Sequence, residues 1–446
     1  MRLPTRIPVA APAAGLAMAL AAIPATALEL HSDESSELHL DGIAILGLFR
    51  SQESFNTLGL KEEGSSSWQE SFIDAGLSGS LQTGEESNLY GRISAVASGT
   101  FGDGDAAGFT SGDERRIAVE DAYLGWRSGQ LFPALGANGI DVSIGRQEVI
   151  LGDGFLISGD ALNFGDALDE VAGTDFDRGG AYWLAARKAF DRTAVVRIGG
   201  DEGFRSDIFW LESNNTAQGE MELAGINLEF VHDTGTLGLM YLEGLDVKEE
   251  LGFDHRDGQE TWSLRWQGNA GVEDLFLSGE FVDQRQGDNS LDDANAWYLE
   301  AGWGFSAAPW SPELAYRFSS FDETFDPLFF GFTRGYGTWF QGEVAGNYAG
   351  PFNSDSDVHH LRAEAYPNER LMVGAGYFDF RNTAGGSGAL DARELNVYAE
   401  WAALDNLIIS PLVGFYNPKN SADDGGTQIG SSSSSLYSQL LFIVPF

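Results

Sequence analysis

The feature that most constrains this chain is a two-residue alternation of apolar and polar side chains, repeated in short segments along most of its length. Three segments show it clearly: Thr261–Gln267, Trp297–Phe305 and Glu394–Trp401. In the second, one face carries Trp297, Leu299, Ala301, Trp303 and Phe305. Because successive side chains of a β-strand point to opposite faces of the sheet, the pattern predicts strands of about ten residues from Leu38 onward.

Two architectures use a sheet with one apolar face. A soluble sandwich turns that face inward, whereas a membrane barrel turns it outward, toward lipid. Aromatic residues lie near both ends of the apolar faces, as in the interfacial girdles of membrane barrels, and the polar faces carry charge and glycine. No run of about eighteen apolar residues follows the N-terminal region, which argues against a helical membrane protein. The sequence therefore predicts an all-β fold, a closed antiparallel transmembrane β-barrel.

The start of the chain carries an export signal. Arg2 and Arg6 precede a small, apolar stretch over Val9–Ile23, and Ala25-Thr26-Ala27 has the A-x-A form of a cleavage site. These are the three parts of a secretory signal peptide. We therefore expect residues 1–27 to be a signal peptide and residues 28–446 to form a single barrel domain in a bacterial outer membrane.

The end of the chain carries an assembly signal. Leu436–Phe446 alternates and ends on an aromatic residue. It resembles the last strand of bacterial outer-membrane proteins, in which a terminal Phe is read by the barrel assembly machinery. We expect Phe446 to serve this purpose here, with outer-membrane lipid and lipopolysaccharide as the other partners of the barrel surface.

The lengths of the polar links predict the strand number. Short links are expected at Lys188–Arg192, His232–Thr236, Pro367–Arg370 and Leu404–Asn406. Long links are expected at Gly102–Arg115, Gly152–Arg178, Glu249–Gly258 and Asn417–Ser432. Short periplasmic turns and long extracellular loops must alternate in a barrel of hairpins. They do so if Tyr336–Gly346 belongs to a long excursion and Ile208–Leu211 joins the strand beginning near Arg192. The count is then about eighteen, with sixteen and twenty left open because bacterial barrels use even numbers.

The charge and the histidines limit the functions that the chain can have. A formal net charge of −41 argues against binding to nucleic-acid phosphates, and 43% hydrophobic residues argue against a disordered acidic chain. His359 and His360 lie on opposite faces of one strand and cannot converge on one metal ion. We therefore expect no metal site, no cofactor and no enzymatic activity.

Two stretches resemble the alginate export family of outer-membrane proteins. The first has Gly145-Arg146-Gln147 at a strand end, followed by Gly152-Asp153-Gly154. The second has Asp326-Pro327-Leu328, then Gly337-Thr338-Trp339 and Gln341-Gly342-Glu343. The resemblance implies a barrel of the size expected here, whose best-known relative passes a polyanionic polysaccharide through an arginine-lined constriction. The acidic balance of this chain does not favour a polyanion, so the resemblance bears on fold and transport more than on substrate.

The alternation also predicts which charged side chains line the pore. The arginines at polar-face positions are Arg92, Arg187, Arg197, Arg265, Arg317 and Arg362. The acids at such positions are Asp74, Asp121, Glu229, Glu280, Glu300, Glu364, Glu394 and Glu400. Arg146 follows Val142 and Ile144 on the apolar face, and it reaches the lumen only if Gly145 forms a bulge. These groups are either a selectivity zone that attracts anionic solutes or arginine–acid pairs that stiffen the wall.

Three functions of different class are compatible with this architecture. The first is a channel for passive transport of an organic solute or an oligo- or polysaccharide, anionic solutes included. The second is a structural or adhesion barrel with an occluded lumen, and an outer-membrane hydrolase is a third. The acidic link Gly152–Arg178 bears on the choice, because it either folds into the pore as a constriction or plug, or caps the barrel from outside.

Overall fold

The computed structural model describes residues 27–84, 87–169, 173–248, 251–287, 291–331, 341–383 and 389–446, and it forms one antiparallel sheet of nineteen strands. The first strands are β1 (Leu28–Ser32), β2 (Ser36–Ser51), β3 (Ser66–Gln82), β4 (Asn88–Gly102), β5 (Arg115–Arg127), β6 (Ile140–Gln147), β7 (Phe190–Ile198), β8 (Gly203–Glu212) and β9 (Glu222–His232). They continue with β10 (Gly235–Asp246), β11 (Glu260–Gly268), β12 (Leu275–Arg285), β13 (Ala294–Gly304), β14 (Glu313–Phe321), β15 (Ser356–Asn368), β16 (Leu371–Arg381), β17 (Ala392–Leu404), β18 (Leu407–Pro418) and β19 (Ser435–Pro445). The expected signal peptide, apart from Ala27, and Gly337-Thr338-Trp339 lie outside the described residues.

The sheet closes on itself through its first and last long strands. β19 pairs antiparallel with β2, with Leu440 opposite Leu48 and Val444 opposite Ala44. The amide of Phe446 donates to the carbonyl of Gly42 at 2.9 Å, and the amide of Gly42 donates back at 2.8 Å. β1 pairs with the first residues of β2 and lies outside the ring. The closed ring therefore has eighteen strands, β2 to β19, which confirms the predicted fold.

Links on one side of the barrel are mostly short and those on the other mostly long, as the prediction requires, although the link over residues 128–139 on the short side is longer than its neighbours. The shortest are residues 233–234, 369–370 and 405–406, and the longest are residues 148–189 and 322–355. By the rule for bacterial barrels, the short turns face the periplasm and the long loops lie on the extracellular side.

Two local predictions were wrong, and their errors cancel in the strand count. Lys188–Arg192 is not a turn, because β7 begins within it. Ile208–Leu211 does not continue the strand that begins near Arg192, because the turn at 199–202 separates β7 from β8. Arg187, expected on a strand, therefore lies in the loop over residues 148–189. The apolar side chains of that loop pack inside the barrel instead of forming a strand.

Within the described residues, helical structure is confined to short turns in the links. They are 3₁₀ turns at Pro133–Leu135, Asp166–Leu168, Thr216–Gln218, Asp254–Arg256 and Ala422–Asp424, and a π-helical turn at Ala345–Ala349. No helix among the described residues is long and apolar enough to cross a membrane.

The outer face of the barrel carries the apolar side chains that the alternation placed there. Ile117 is 80% exposed, Leu264 53%, and Trp262 and Trp303 are 44% and 43% exposed. A soluble sandwich would bury these residues. A closed barrel leaves no unpaired backbone edge, and its apolar outer face suits hydrocarbon. The protein is therefore located in the bacterial outer membrane.

Two loops fold into the barrel and supply much of its interior. We call residues 148–189 the first lumen loop, of which 170–172 are not described, and residues 322–355 the second lumen loop, of which 332–340 are not described. Backbone hydrogen bonds join them: Ser158 donates to Phe329 at 2.7 Å, and Phe329 donates to Leu156 at 3.0 Å. Tyr182 and Tyr348, one on each loop, are completely buried. In the link Gly152–Arg178, residues 152–165 thus pack inside the barrel, whereas the described residues 166–169 and 173–177 lie nearer its surface.

Candidate functional site: the constricted lumen

The arginines of the inner wall lie next to acids on neighbouring strands. Arg92 on β4 contacts three carboxylates: Asp74 on β3 at 2.5 Å, Asp121 on β5 at 2.9 Å, and Asp41 on β2. Arg197 on β7 lies 3.6 Å from Asp207 on β8. Because each arginine lies near an acid on another strand, these pairs stiffen the wall and leave little charge uncompensated.

A second group of paired charges lies across β9 to β15. Arg265 donates to Glu229 at 2.5 Å and to Asn227 at 2.6 Å, and only 7% of it is exposed. Arg362 lies 3.7 Å from Glu300 and 3.8 Å from Glu364. Separate from these, Arg317 donates to Gln341 of the second lumen loop at 3.4 Å and so connects the wall to that loop.

Two further acids from the prediction are also buried on the inner face. Glu280 accepts a hydrogen bond from Ser263 at 2.5 Å, and Glu280 and Glu400 are 4% and 8% exposed. Among the described residues, no group of three or more His, Asp or Glu has the arrangement of a metal site.

Arg146 reaches the interior through a β-bulge. The register between β6 and β7 shifts between Gly145 and Gln147, and Gly145 has a φ of +121°. Such a φ is open to glycine and strained for other residues. Arg146 is consequently 9% exposed and donates to Asp191 at 2.5 Å. The bulge at Gly145, on which an inward position of Arg146 depends, is therefore present.

The first lumen loop is held against the wall by carboxylates that accept backbone hydrogen bonds. Glu120 on β5 accepts from the amides of Lys188 at 2.6 Å and Ala189 at 2.7 Å. Glu70 on β3 accepts from the amide of Leu184 at 2.9 Å. Hydrogen bonds to an ionised or strongly polar acceptor are stronger than neutral ones, so the loop has a defined position in the lumen.

Two contacts hold the second lumen loop: a wall carboxylate that accepts backbone hydrogen bonds, and an ion pair formed by Asp326 of the loop itself. Glu394 on β17 accepts from the amides of Val344 at 3.0 Å and Ala345 at 2.9 Å. Asp326 accepts from Arg256 at 2.6 and 2.8 Å. Burial acts to raise the pKa of Asp326, but Arg256 and the hydrogen bond from His255 outweigh it and hold that pKa well below the usual range.

A cluster of arginines lies where the first lumen loop meets the wall. Arg178 Nη1 is 2.8 Å from Asp160 Oδ2, yet none of its three guanidinium nitrogens has a hydrogen-bond partner of suitable geometry among the described residues. Arg187 Nε lies 3.6 Å from Glu120 and also lacks such a partner, as does Arg146 Nε.

The arginines of this cluster act on one another electrostatically. Burial lowers the pKa of Arg187 to about 10, and the positive charges of Arg178 and Arg146 add to this shift, while Glu120 opposes it. Arg178 is 5% exposed and Arg187 is 6% exposed. Guanidinium groups stay charged at physiological pH. Each arginine of the cluster lies near one carboxylate, yet the cluster keeps buried hydrogen-bond donors without partners among the described residues.

Sequence reasoning missed several of these residues. Glu70 has the same strand parity as Asp74, which would have placed it on the inner face. Glu120 faces the lumen beside Asp121 because the register between β4 and β5 shifts there. Arg178 and Glu343 lie in loops, where no periodicity indicates orientation.

No family model matches the chain, and no curated protein matches it by sequence. The alginate export family, suggested by the short motifs, is therefore not supported by these comparisons. Gly152-Asp153-Gly154 belongs to the first lumen loop, and Asp326-Pro327-Leu328 belongs to the second.

The fold does match solved structures. A BenF-like porin from Pseudomonas fluorescens Pf-5 is similar with a TM-score of 0.58 and 10% identity, covering 92% of this chain and 98% of that one. OccAB4 of Acinetobacter baumannii gives a TM-score of 0.57 and 11% identity, covering 91% and 98%. OccD3 (OpdP) of Pseudomonas aeruginosa gives 0.54 and 12%, covering 98% and 99%. The chain thus has the eighteen-stranded fold of bacterial outer-membrane porins.

Proposed function

We propose that this protein is a passive outer-membrane channel for small organic solutes that carry negative charge. The observation that carries the proposal is the set of buried guanidinium nitrogens on Arg178, Arg187 and Arg146 that lack hydrogen-bond partners among the described residues. A buried donor without an acceptor costs roughly 1–3 kcal/mol. A carboxylate entering the constriction supplies acceptors in the geometry that guanidinium groups bind best.

The interior supports a small solute over a polysaccharide. The two lumen loops are joined to each other by backbone hydrogen bonds and to the wall through Glu70, Glu120 and Glu394. A bulky polymer would have to displace both loops. The shared fold with a structure described as a BenF-like porin supports the transport part of the proposal.

The paired arginines of the wall contribute less to selectivity than the arginine cluster. The charge of Arg92, for example, is compensated by Asp41, Asp74 and Asp121. Such pairs attract neither anions nor cations strongly. Arg178, Arg187 and Arg146 also lie near carboxylates, but they keep guanidinium nitrogens without hydrogen-bond partners among the described residues. We therefore place the preference for anions at the first lumen loop, and we propose no catalytic role.

Reconstitution into planar bilayers tests the proposal. We expect discrete conductance steps and a reversal potential that indicates anion preference across a salt gradient. In proteoliposomes, a small carboxylate should enter faster than a neutral or cationic solute of similar size. The double variant Arg178→Gln with Asp160→Asn removes the guanidinium group together with its partner carboxylate, so the net charge is unchanged. It should slow carboxylate entry roughly tenfold, as expected for one charge-assisted hydrogen bond.

The control is Arg285→Gln, which changes an arginine on the extracellular rim that is 65% exposed beside Glu260. It should leave carboxylate entry unchanged. Cation preference in the unaltered protein, or equal entry of all solutes, would contradict the proposal.

A structural or adhesion barrel with an occluded lumen is the second candidate, and one observation favours it. Phe164, Tyr182, Leu328 and Tyr348 of the lumen loops are completely buried, which is the packing of a core. Conductance separates the two functions, because a permanently filled barrel produces no steps in the bilayer.

A further inference from the structure

A groove of about 640 Å³ lies on the lipid-facing side of the barrel, across β19, β2, β3, β4 and β5. Most of its lining comes from outward-pointing residues: Ala44, Leu46, Ile73, Ala97, Ile117 and Phe442. Neighbouring strands lie about 4.8 Å apart, so the groove extends about 19 Å around the barrel. It is separate from the lumen and from the arginine cluster.

Small residues create this groove in an otherwise bulky apolar belt. Ala44, Ser71, Ala97 and Gly99 occupy outward positions at its floor, between larger side chains such as Ile73 and Ile117. A barrel wall that contacts only disordered hydrocarbon does not require a groove at this place. The shape suits a flexible chain of methylene groups, which makes dispersion contacts along an apolar channel.

Two outward-facing arginines lie at the extracellular ends of the strands that form the groove. Arg115 is the first residue of β5, and its Cζ lies 3.5 Å from the centroid of the Phe101 ring. Arg50 is near the end of β2 and donates to Ser67 at 3.2 Å. The stretches 52–65 and 103–114, which follow β2 and precede β5, are among the longer links and mark the extracellular side.

These two arginines differ from the other exposed arginines of the described residues. Arg192, Arg285 and Arg393 each lie within 4.0 Å of a carboxylate. No ion pair with a carboxylate is found for Arg50 or Arg115 within the part of the chain that the structure describes. The protein has 67 acidic and 26 basic residues, so arginines without a carboxylate partner are unusual in it. Two such arginines on the outer face are suited to bind an anion.

We infer that the groove binds lipopolysaccharide from the outer leaflet, with an acyl chain along Ala44, Ala97 and Ile117 and a phosphate group at Arg50 and Arg115. The apolar groove and the two cations occur in the order that an anionic glycolipid requires, with hydrocarbon toward the membrane centre and charge at the extracellular surface. Basic residues near a membrane surface attract anionic headgroups additively. The protein would thus carry a bound lipid at a fixed place on its wall.

Native mass spectrometry of the protein purified from outer membranes tests this inference. The unaltered protein should keep one lipopolysaccharide molecule, and added lipopolysaccharide should bind more tightly than the same glycolipid after removal of its phosphates. The variant Arg50→Gln with Arg115→Gln should weaken binding on the order of fivefold for each arginine. Ala97→Leu should weaken it by filling the groove.

Matched controls change the same residue types elsewhere on the barrel. Arg285→Gln with Arg393→Gln removes two exposed arginines that have acid partners, and Ala363→Leu enlarges an outward-facing alanine on β15. Both should bind lipopolysaccharide as the unaltered protein does. The comparison of phosphorylated and dephosphorylated glycolipid requires no variant, so a folding defect cannot obscure the answer.

Three outcomes would overturn the inference. The first is equal binding of the two glycolipids, and the second is unchanged binding by the double arginine variant. The third is a change of oligomeric mass on Ala97→Leu without loss of lipid, which would assign the groove to a second copy of the chain.

Discussion

Trp183 on the first lumen loop donates its indole N–H to Glu343 on the second, with 2.9 Å between Nε1 and Oε2. Both side chains are almost completely buried, at 4% and 3% exposure. Burial raises the pKa of Glu343 to about 8, the hydrogen bond from Trp183 opposes that shift, and the nearby Glu394 adds to it. The contact between the two loops therefore depends on the protonation state of one carboxyl group.

Raising the pH through about 8 is expected to loosen the second lumen loop. Because the pKa of Glu343 in the folded protein lies above its ordinary value of 4.5, its protonated form stabilises the packed arrangement. That stabilisation is fully present below the ordinary pKa and is lost as the pH rises through the folded value. Single-channel conductance should therefore increase between the ordinary pKa of 4.5 and the folded value of about 8.

Glu343→Gln should remove this pH dependence, because the amide stays neutral while it still accepts from Trp183. Glu260→Gln, on the exposed extracellular rim, serves as the control and should keep it. A Glu343→Gln channel with the unaltered pH profile would exclude this carboxyl as the titrating group.

Asp326→Asn should detach the second lumen loop from its anchor. The change leaves Arg256, which is 1% exposed, without its carboxylate partner. Removing one member of a buried ion pair costs about 3–5 kcal/mol. We expect a lower melting temperature in detergent, followed by tryptophan fluorescence, and faster proteolytic cleavage within residues 322–331.

The compensating variant is Asp326→Asn with Arg256→Met, which removes both charges together. Replacing a whole buried pair by uncharged groups is often neutral, so this protein should recover most of the melting temperature. Equal melting temperatures for Asp326→Asn and the unaltered protein would show that the pair does not hold the loop.

Gly145→Val should disrupt the bulge that turns Arg146 inward. A Cβ at this position would lie 2.4 Å from the carbonyl oxygen of Ala122, at a φ that side chains rarely adopt. Strain of this kind costs about 1–3 kcal/mol. We expect a lower melting temperature together with a weaker anion preference, measured as reversal potential.

Gly302→Ala is the matched control for Gly145→Val. Its φ is not positive, and a Cβ there would have no neighbour closer than 3.5 Å. It should melt as the unaltered protein does. If Gly145→Val kept both stability and selectivity, the bulge would have no part in positioning Arg146.

The strand number was predictable because alternation and link length are properties of short stretches of sequence. Trp262, Leu264 and Trp303 point outward as their positions in the alternation indicate. The alternation misleads at β2 and β3, where Phe49, Trp68 and Phe72 point inward and are buried. Their partners there are side chains of the lumen loops, such as Trp183 against Phe49. Hydropathy alone cannot distinguish an inner face packed on a loop from an outer face packed on lipid.

The arginine cluster was predictable only in part, because Arg187 was expected on a strand that does not form and Arg178 was not expected at the lumen. Its members come from a loop and a bulge: Arg178 and Arg187 lie in the first lumen loop, and Arg146 is placed by Gly145. Such positions depend on contacts between residues distant in sequence, for example Ala189 with Glu120. Spacing within a strand contains no information about these contacts.

Deleting Phe446 should lower the amount of barrel in the outer membrane. Phe446 exchanges two backbone hydrogen bonds with Gly42 at the seam between β19 and β2. Its ring occupies the space that a side chain at position 42 would need, since a Cβ there would lie 2.7 Å from the ring. We expect reduced assembly, measured as the heat-modifiable band in outer-membrane fractions. Leu436→Ala, an outward-facing change on the same strand, should assemble normally, and normal assembly without Phe446 would contradict the assigned assembly role.

Replacing Arg265 and Arg317 together by Ala should shift ion selectivity toward cations. Arg265 compensates Glu229, to which it donates at 2.5 Å, and its positive charge also acts on the neighbouring Glu280. Removing both guanidinium groups takes positive charge from the inner wall, which makes the wall less attractive to anions. The reversal potential across a salt gradient measures the shift, and Arg285→Ala on the extracellular rim is the control. An unchanged reversal potential in the double variant would mean that permeating ions do not pass these residues, and the selectivity would then rest on the arginine cluster alone.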